Sequence, residues 1–317
     1  MLARKLLEDS LSTVWHLLEG DIQELMINGE GDVWVEEKGK LTRVDTPLSK
    51  QSIESAIHLL GRMNDKDVKA KTGDSIIDAR IPGFRIAACI HPISVRGPSI
   101  CIRKHNPVVL SLEDYKQQGA LTEEDCVLLR NIVRQHKNIL IVGGTSSGKT
   151  TFFNALIKEI DPAERILTIE DTQELQVESP NWVALEANHQ QGITARDLLK
   201  LSLRYRPDRI FLGEVRGGEA YDLMQSANTG HDGVMATLHA SSAAKGLSRL
   251  ENLIMTADVN LPTQAIRHQI ADTFNYVIFL ARRNGRRGIE QLLELNGYDQ
   301  QQYRYHYNLL IDRKAFQ

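Results

Sequence analysis

The chain has 317 residues, 42% hydrophobic and 25% charged, with Lys+Arg 38 against Asp+Glu 41 for a net charge of -3. This ordinary globular composition has room for two cores, excludes a disordered or collagen-like chain, and argues against duplex DNA binding, which leaves a Lys/Arg excess. The cysteines Cys89, Cys101 and Cys126 have no paired spacing and read as reduced, intracellular thiols, and no apolar run approaches the roughly 20 residues of a membrane span.

Leu2, Leu6, Leu7, Leu11, Val14, Trp15 and Leu18 recur at helical spacing, which predicts one amphipathic helix ended by Gly20. Short β-rich segments follow at 22–28, 33–37 and 41–44, then a helix over 52–63 and strands at 75–80, 85–90 and 99–103. Residues 1–105 therefore read as a small α+β domain. Asn106-Pro107 marks its exit, and the polar stretch to Gly119 makes 106–120 a linker.

From Thr122, whose Thr-Glu-Glu-Asp pattern is a capping box, strands and helices alternate. Strands are expected at 138–142, 165–169, 183–187, 209–212, 234–238 and 276–280. Helices lie between them near 151–160, 195–204, 218–227, 243–255 and 263–274. Residues 121–317 are thus an α/β domain with a mainly parallel sheet. Arg282, Arg283, Arg286 and Arg287 flank an Asn284-Gly285 turn, expected as a solvated hairpin with nucleic acid or a membrane surface as the alternative contact. Tyr303, Tyr305 and Tyr307 alternate as on one face of a strand, where packing is the expected role and base stacking the alternative.

Gly143, Gly144, Thr145, Ser146, Ser147, Gly148, Lys149 and Thr150 match G-x-x-x-x-G-K-[ST] between an apolar strand and a helix that takes in Thr151. Glycines let such a loop wrap phosphates with backbone N–H groups, while Lys149 neutralises β and γ oxygens and Thr150 ligates Mg²⁺. ATP and Mg²⁺ are the expected cofactors. Three later strands end in polar groups, Glu170-Asp171, Glu214 and His239, where a nucleotide site would need them.

These segments resemble those of the type II and type IV secretion ATPases. Gly143–Thr150 is similar to their Walker A motif, 168–172 to their Asp box, 212–216 to their Walker B variant with Glu, and 229–240 to their His box. Leu203–Arg209, His239-Ala240, Glu24–Asn28 and Val33–Glu36 resemble the TrbB-like conjugal transfer branch more than the pilus retraction branch. The chain lacks the long N-terminal extension and tetracysteine module of type II motors.

The resemblance implies a PAS-like first domain, a RecA-like second domain and a homohexamer that hydrolyses ATP to energise type IV secretion or conjugal transfer. It implies a location at the cytoplasmic face of the inner membrane, with peripheral membrane contact, channel proteins as partners and no sequence-specific nucleic acid binding. Carried over by position, Glu170 is the general base, Glu214 holds Mg²⁺ through water, and His239 senses the γ-phosphate; which glutamate polarises the water stays open. Arg85 and Arg103 match N-terminal arginines that reach the phosphates, and Arg96, Arg204 and Arg216 fit that pattern less closely. A pilus assembly or retraction motor, a nucleic-acid translocase and a non-hydrolysing regulator are the alternatives.

Overall fold

A computed structural model describes residues 2–37, 39–63, 68, 75–81, 83–104, 109–188, 191–283 and 286–313. The chain divides into two compact units, 1–106 and 107–317. In the first, the opening apolar stripe is not one helix. It breaks at Leu11 (φ -111°, ψ 25°) into α1 (Leu2–Ser10), α2 (Ser12–Trp15) and a 3₁₀ turn (His16–Glu19). The breaks keep Leu7, Leu11, Val14, Trp15 and Leu18 all buried, so burial of the stripe prevails over continuity of the helix.

Strands β1 (Ile22–Ile27), β2 (Val33–Glu37) and β3 (Lys40–Val44), helix α3 (Lys50–Met63), and strands β4 (Ile76–Ile81), β5 (Phe84–Cys89) and β6 (Ser99–Lys104) complete the unit. All six strands pair antiparallel in the order β3-β2-β1-β6-β5-β4. Alternation places Leu25, Ile27, Val33, Ile77, Ala79, Ile86, Ile100 and Ile102 on the covered face, where they meet Ile53, Ile57 and Leu60 of α3. A sheet with helices on one face is the PAS-like arrangement.

In the second unit, the stretch read from sequence as a linker contains α4 (Leu112–Gln117), with Leu112 and Tyr115 buried in the core. Ser111 and Asp114 form a capping box as Thr122 and Asp125 do for α5 (Glu123–Arg134), so the linker was in part a short helix whose start signal went unread. Asn106 and Pro107 lie outside the described residues.

The alternation that follows is β7 (Ile139–Gly143), α6 (Lys149–Ile157), β8 (Ile166–Glu170), β9 (Trp182–Glu186), α7 (Ala195–Ser202), β10 (Arg209–Leu212) and α8 (Glu219–Asn228). It continues with β11 (Met235–His239), α9 (Ala243–Met255), α10 (Thr263–Thr273), β12 (Tyr276–Arg283), β13 (Arg286–Asp299) and β14 (Arg304–Asp312). The sheet order is β14-β13-β12-β7-β11-β10-β8-β9, parallel from β12 to β9 and antiparallel at β13 and β14. Apolar layers cover both faces of the parallel part, as its near-continuous apolar strands require, and the domain is RecA-like.

The full length of β13 and β14 exceeds the sequence reading. Register shifts at Leu292/Leu293 and Leu295/Gly297 interrupt the alternation that marks a strand. Tyr305 packs on Tyr298 at 5.4 Å and donates to Glu251 at 2.9 Å, whereas Tyr307 is half exposed and Tyr303 lies in the preceding turn.

One buried charge pins the lower end of this sheet. Arg209 is 1% exposed and donates to both oxygens of Glu164, at 2.5 and 3.0 Å, in the planar geometry that suits a carboxylate. Gly233 lies against it, since a Cβ there would sit 2.9 Å from the guanidinium. Truncating Arg209→Ala strands the carboxylate and opens a cavity, so urea unfolding followed by circular dichroism should show a loss of about 3 kcal/mol. Glu164→Gln, which keeps an acceptor, should cost less.

Candidate active site

Four adjacent strands, β7, β11, β10 and β8, end at one edge of the second unit's sheet, and each delivers one element of the site. After β7 the chain turns through Gly144–Gly148 before α6 begins. Ser146 (φ 58°) and Gly148 (φ 90°) are left-handed, and a Cβ on Gly143 would lie 2.5 Å from Ser147 Oγ and 2.6 Å from the Leu280 carbonyl, so only glycine fits there. No side chain caps α6, so its first N–H groups face outward at the positive helix end.

Lys149 is the chemical centre. Its side chain is buried, and its ammonium donates to the carbonyls of Gly143 (3.2 Å) and Gly144 (3.0 Å) and to Nδ1 of His239 (3.4 Å). Those contacts use its three protons. Burial pulls its pKa down and the nearby Glu214 opposes the fall. Because an ammonium can only donate, Nδ1 of His239 must accept, which leaves the proton on Nε2 facing Glu214 Oε1 at 3.1 Å. Burial and the Lys149 charge hold the His239 pKa below its usual value, with Glu214 opposing, so the ring is neutral at pH 7.

The chain of contacts continues. Glu214 Oε2 accepts from Arg216 at 2.7 Å, and the other arm of Arg216 donates to Asp171 at 2.6 Å. Lys149, His239, Glu214, Arg216 and Asp171 thus form one connected line from the loop after β7 to the loop after β8. Arg216 is an internal tie in that line.

Glu170 is 5% exposed and faces inward. Its carboxylate accepts from the backbone of Glu174 (3.0 Å) and Leu175 (3.0 and 3.3 Å). Burial raises its pKa to about 7 although those N–H bonds pull it down. Asn154 of α6, which the sequence reading missed, holds the same loop by accepting from Gln176 N at 2.8 Å and donating to Glu174 O at 3.2 Å. A buried Asn in the otherwise apolar run Phe152–Ile157 was the available signal.

The loop fits a bound polyphosphate. Ser147 Oγ is buried with no partner among the described residues, the amino end of α6 is uncapped, and a desolvated ammonium stands beside both. Thr150 and Thr151 are half-buried on its first turn, while Thr145 and Ser146 are exposed. At the other edge of the sheet, a polar cavity of about 290 Å³ lined by His136, Asn138, Asn228 and Asp232 lies at the amino ends of the strands, away from this constellation. Ligands of open α/β sheets bind at the carboxyl ends.

Arg85 and Arg103 lie in the first unit, on the sheet face opposite its core. They are direct cross-strand partners, and Arg80 extends the file on β4 while Glu24 and Glu36 continue it on β1 and β2. Arg85 pairs with Asp78 at 3.1 Å. Arg96 and Arg204 are exposed on loops. Arg80 went unnoticed in the sequence because only the strand register lines it up with the other two.

The family model described as type II/IV secretion system protein matches residues 8–307. The chain belongs to that family. It is 32% identical over 290 residues, 90% of this chain and 86% of the relative, to a probable conjugal transfer protein TrbB of Sinorhizobium fredii. The VirB11 ATPase from the Brucella suis type IV secretion system is 28% identical with a TM-score of 0.51, over 92% of this chain and 95% of that one. The Legionella pneumophila ATPase DotB shares the fold at 20% identity and a TM-score of 0.65, over 92% and 80%. The chain is therefore an ATPase.

Gly213 offers a test of the site from its back wall. A Cβ there would lie 2.8 Å from Glu170 Cγ, so Gly213→Ala must push the carboxylate off its N–H partners. A displacement of that size should lower ATP turnover by roughly 100-fold. Loss of the two N–H bonds should also move any pH limb set by Glu170 upward, measured in a pH–rate profile.

Proposed function

We propose that this chain is the motor ATPase of a type IV secretion or conjugal transfer apparatus, working as a homohexamer with channel proteins at the cytoplasmic face of the inner membrane. The observation that carries the reading is the line from Lys149 to Asp171, which joins the phosphate loop to the carboxylates of two further strands. The conjugal transfer name of the similar protein and the secretion-system source of the solved ATPase support the biological setting. Among the described residues no helix is long and apolar enough to cross a membrane.

In this reading ATP lies on the loop Gly143–Thr151, with the backbone N–H groups of 147–151 on its phosphates. Lys149 exchanges the carbonyls of Gly143 and Gly144 for phosphate oxygens, a gain because a desolvated ammonium interacts more strongly with an anion than with a dipole. Among the described residues no group of three His, Cys, Asp or Glu side chains could hold a metal ion alone. Mg²⁺ would then rest mainly on phosphate oxygens, with Thr150 directly and Glu214 through water, and supplies charge neutralisation there. Glu170 takes the proton of the attacking water, which its raised pKa suits. When Lys149 turns to phosphate, His239 loses a donor, and the change passes through Glu214 to Arg216 and Asp171. His239 in this way reports the state of the loop.

Lys149→Ala should abolish hydrolysis and complementation of transfer while the chain stays folded. Glu170→Gln should bind ATP and turn it over about 10² to 10⁴ times more slowly. Only the ionised carboxylate can act as base, so wild-type turnover should climb as pH rises through about 7, and Glu170→Gln should lose that limb. Stalled turnover in Glu214→Gln with a normal Glu170→Gln would exchange the two roles. Strong stimulation by single-stranded DNA would favour a translocase instead.

Arg85 and Arg103 are proposed to contact the phosphates, as the resemblance implies. Combined Arg85→Ala and Arg103→Ala should lower turnover by up to roughly 10³-fold, less than a full arginine finger because the charge is shared. A double variant with normal turnover and normal transfer would show that the two are surface arginines.

A further inference from the structure

Arg287 differs from the other arginines of segment 282–287. In register Arg282 faces Arg287 and Arg283 faces Arg286, and Arg283 is paired with Glu290 at 3.3 Å. The stem of Arg287 instead lies over the phosphate loop, where a Cβ built on Gly148 would meet Arg287 Cδ at 3.2 Å. Gly148 is the last loop residue before the uncapped amino end of α6.

The same flank is walled by β12, whose Leu280 carbonyl closes on Gly143, and by Tyr115, whose ring packs on Phe152 of α6 at 5.4 Å. Burial raises the Tyr115 pKa, and the charge of Arg287 is near enough to oppose it. Lys149 turns the other way, toward His239 on β11. The strand order β12-β7-β11 therefore puts the two cations on opposite flanks of one loop.

The Arg287 guanidinium has no carboxylate partner among the described residues. A cation beside a positive helix end is unfavourable unless an anion lies between them. We infer that Arg287 is a nucleotide-binding residue that reaches past Gly148 to the α-phosphate, on the flank opposite Lys149 and the reacting γ-phosphate. This rests on the reading of Gly143–Thr151 as the nucleotide site. The α-phosphate is common to ATP and ADP, so Arg287 sets affinity for both and does not discriminate between them. Two phosphate oxygens match the guanidinium fork, which lysine cannot reproduce.

The test is equilibrium titration of the full chain with fluorescent ADP and a fluorescent non-hydrolysable ATP analogue, with thermal melting in buffer alone as the check on folding. Arg287→Ala should weaken both ligands by the same factor, about 10- to 100-fold, the range for a hydrogen bond to a charged group. Arg287→Gln, which keeps a stem over Gly148, should lose nearly as much, and Arg287→Lys less. Arg286→Ala should bind as the unmodified protein does.

If Arg287→Ala and Arg287→Gln bind normally while Lys149→Ala loses binding, the loop assignment stands and the inference about Arg287 falls. Equal losses in Arg286→Ala and Arg287→Ala would reduce the effect to surface charge and overturn it. Weakening of the ATP analogue alone would place the guanidinium on the γ-phosphate, against the inference. Normal binding by Lys149→Ala would remove the nucleotide site from this loop and the inference with it.

Discussion

A buried ammonium is the constraint around which the second unit is arranged. Desolvation makes the charge on Lys149 costly, and it persists because three acceptors converge on it. Two of those acceptors are carbonyls of the preceding loop, which point inward only because the loop passes through left-handed residues and has no Cβ at Gly143. The third is an imidazole whose neutrality is itself maintained by burial and by the ammonium. Remove any one of these and the lysine has no reason to stay at the mouth of the loop, where an arriving phosphate would meet it.

From that centre, charge and position are handed along the sheet edge. His239 ends β11, Glu214 follows β10 and Asp171 follows β8, so contact among them depends on those strands being neighbours. Arg216 closes the line by bridging two carboxylates that would otherwise repel. Glu170 is kept apart from it, turned into its own nest of N–H groups with Gly213 at its back. The two glutamates thus occupy different environments, Glu214 bound to Arg216 and His239 and Glu170 buried with a raised pKa.

The first unit contributes in another way. Its covered face is apolar and its opposite face carries the file Arg80, Arg85, Arg103 continued by Glu24 and Glu36. Like charges directly opposite on neighbouring strands weaken a sheet. Three arginines in register are therefore a cost to stability, which the Asp78 carboxylate beside Arg85 and the Glu24 neighbour of Arg103 offset in part.

Much of this was legible in the residues. The strand–loop–helix around Gly143–Thr150, the alternation after Thr122, and the polar strand ends at Glu170, Glu214 and His239 follow from local spacing, because a P-loop and an apolar strand are short, contiguous patterns. Local pattern also misled. Ser111–Gln117 read as linker, the opening stripe read as one helix, and the strands after Arg286 were incompletely seen where bulges interrupt alternation. What no local pattern contained was the strand order and register. These alone brought Lys149 to His239, Arg216 between Asp171 and Glu214, Asn154 to the loop after Glu170, Arg80 into line with Arg85 and Arg103, and Arg287 over Gly148. Composition and motif determined which chemistry this chain possesses, while tertiary structure decided which charges share it, since contacts between separate segments of the chain are set by how strands are ordered in the sheet.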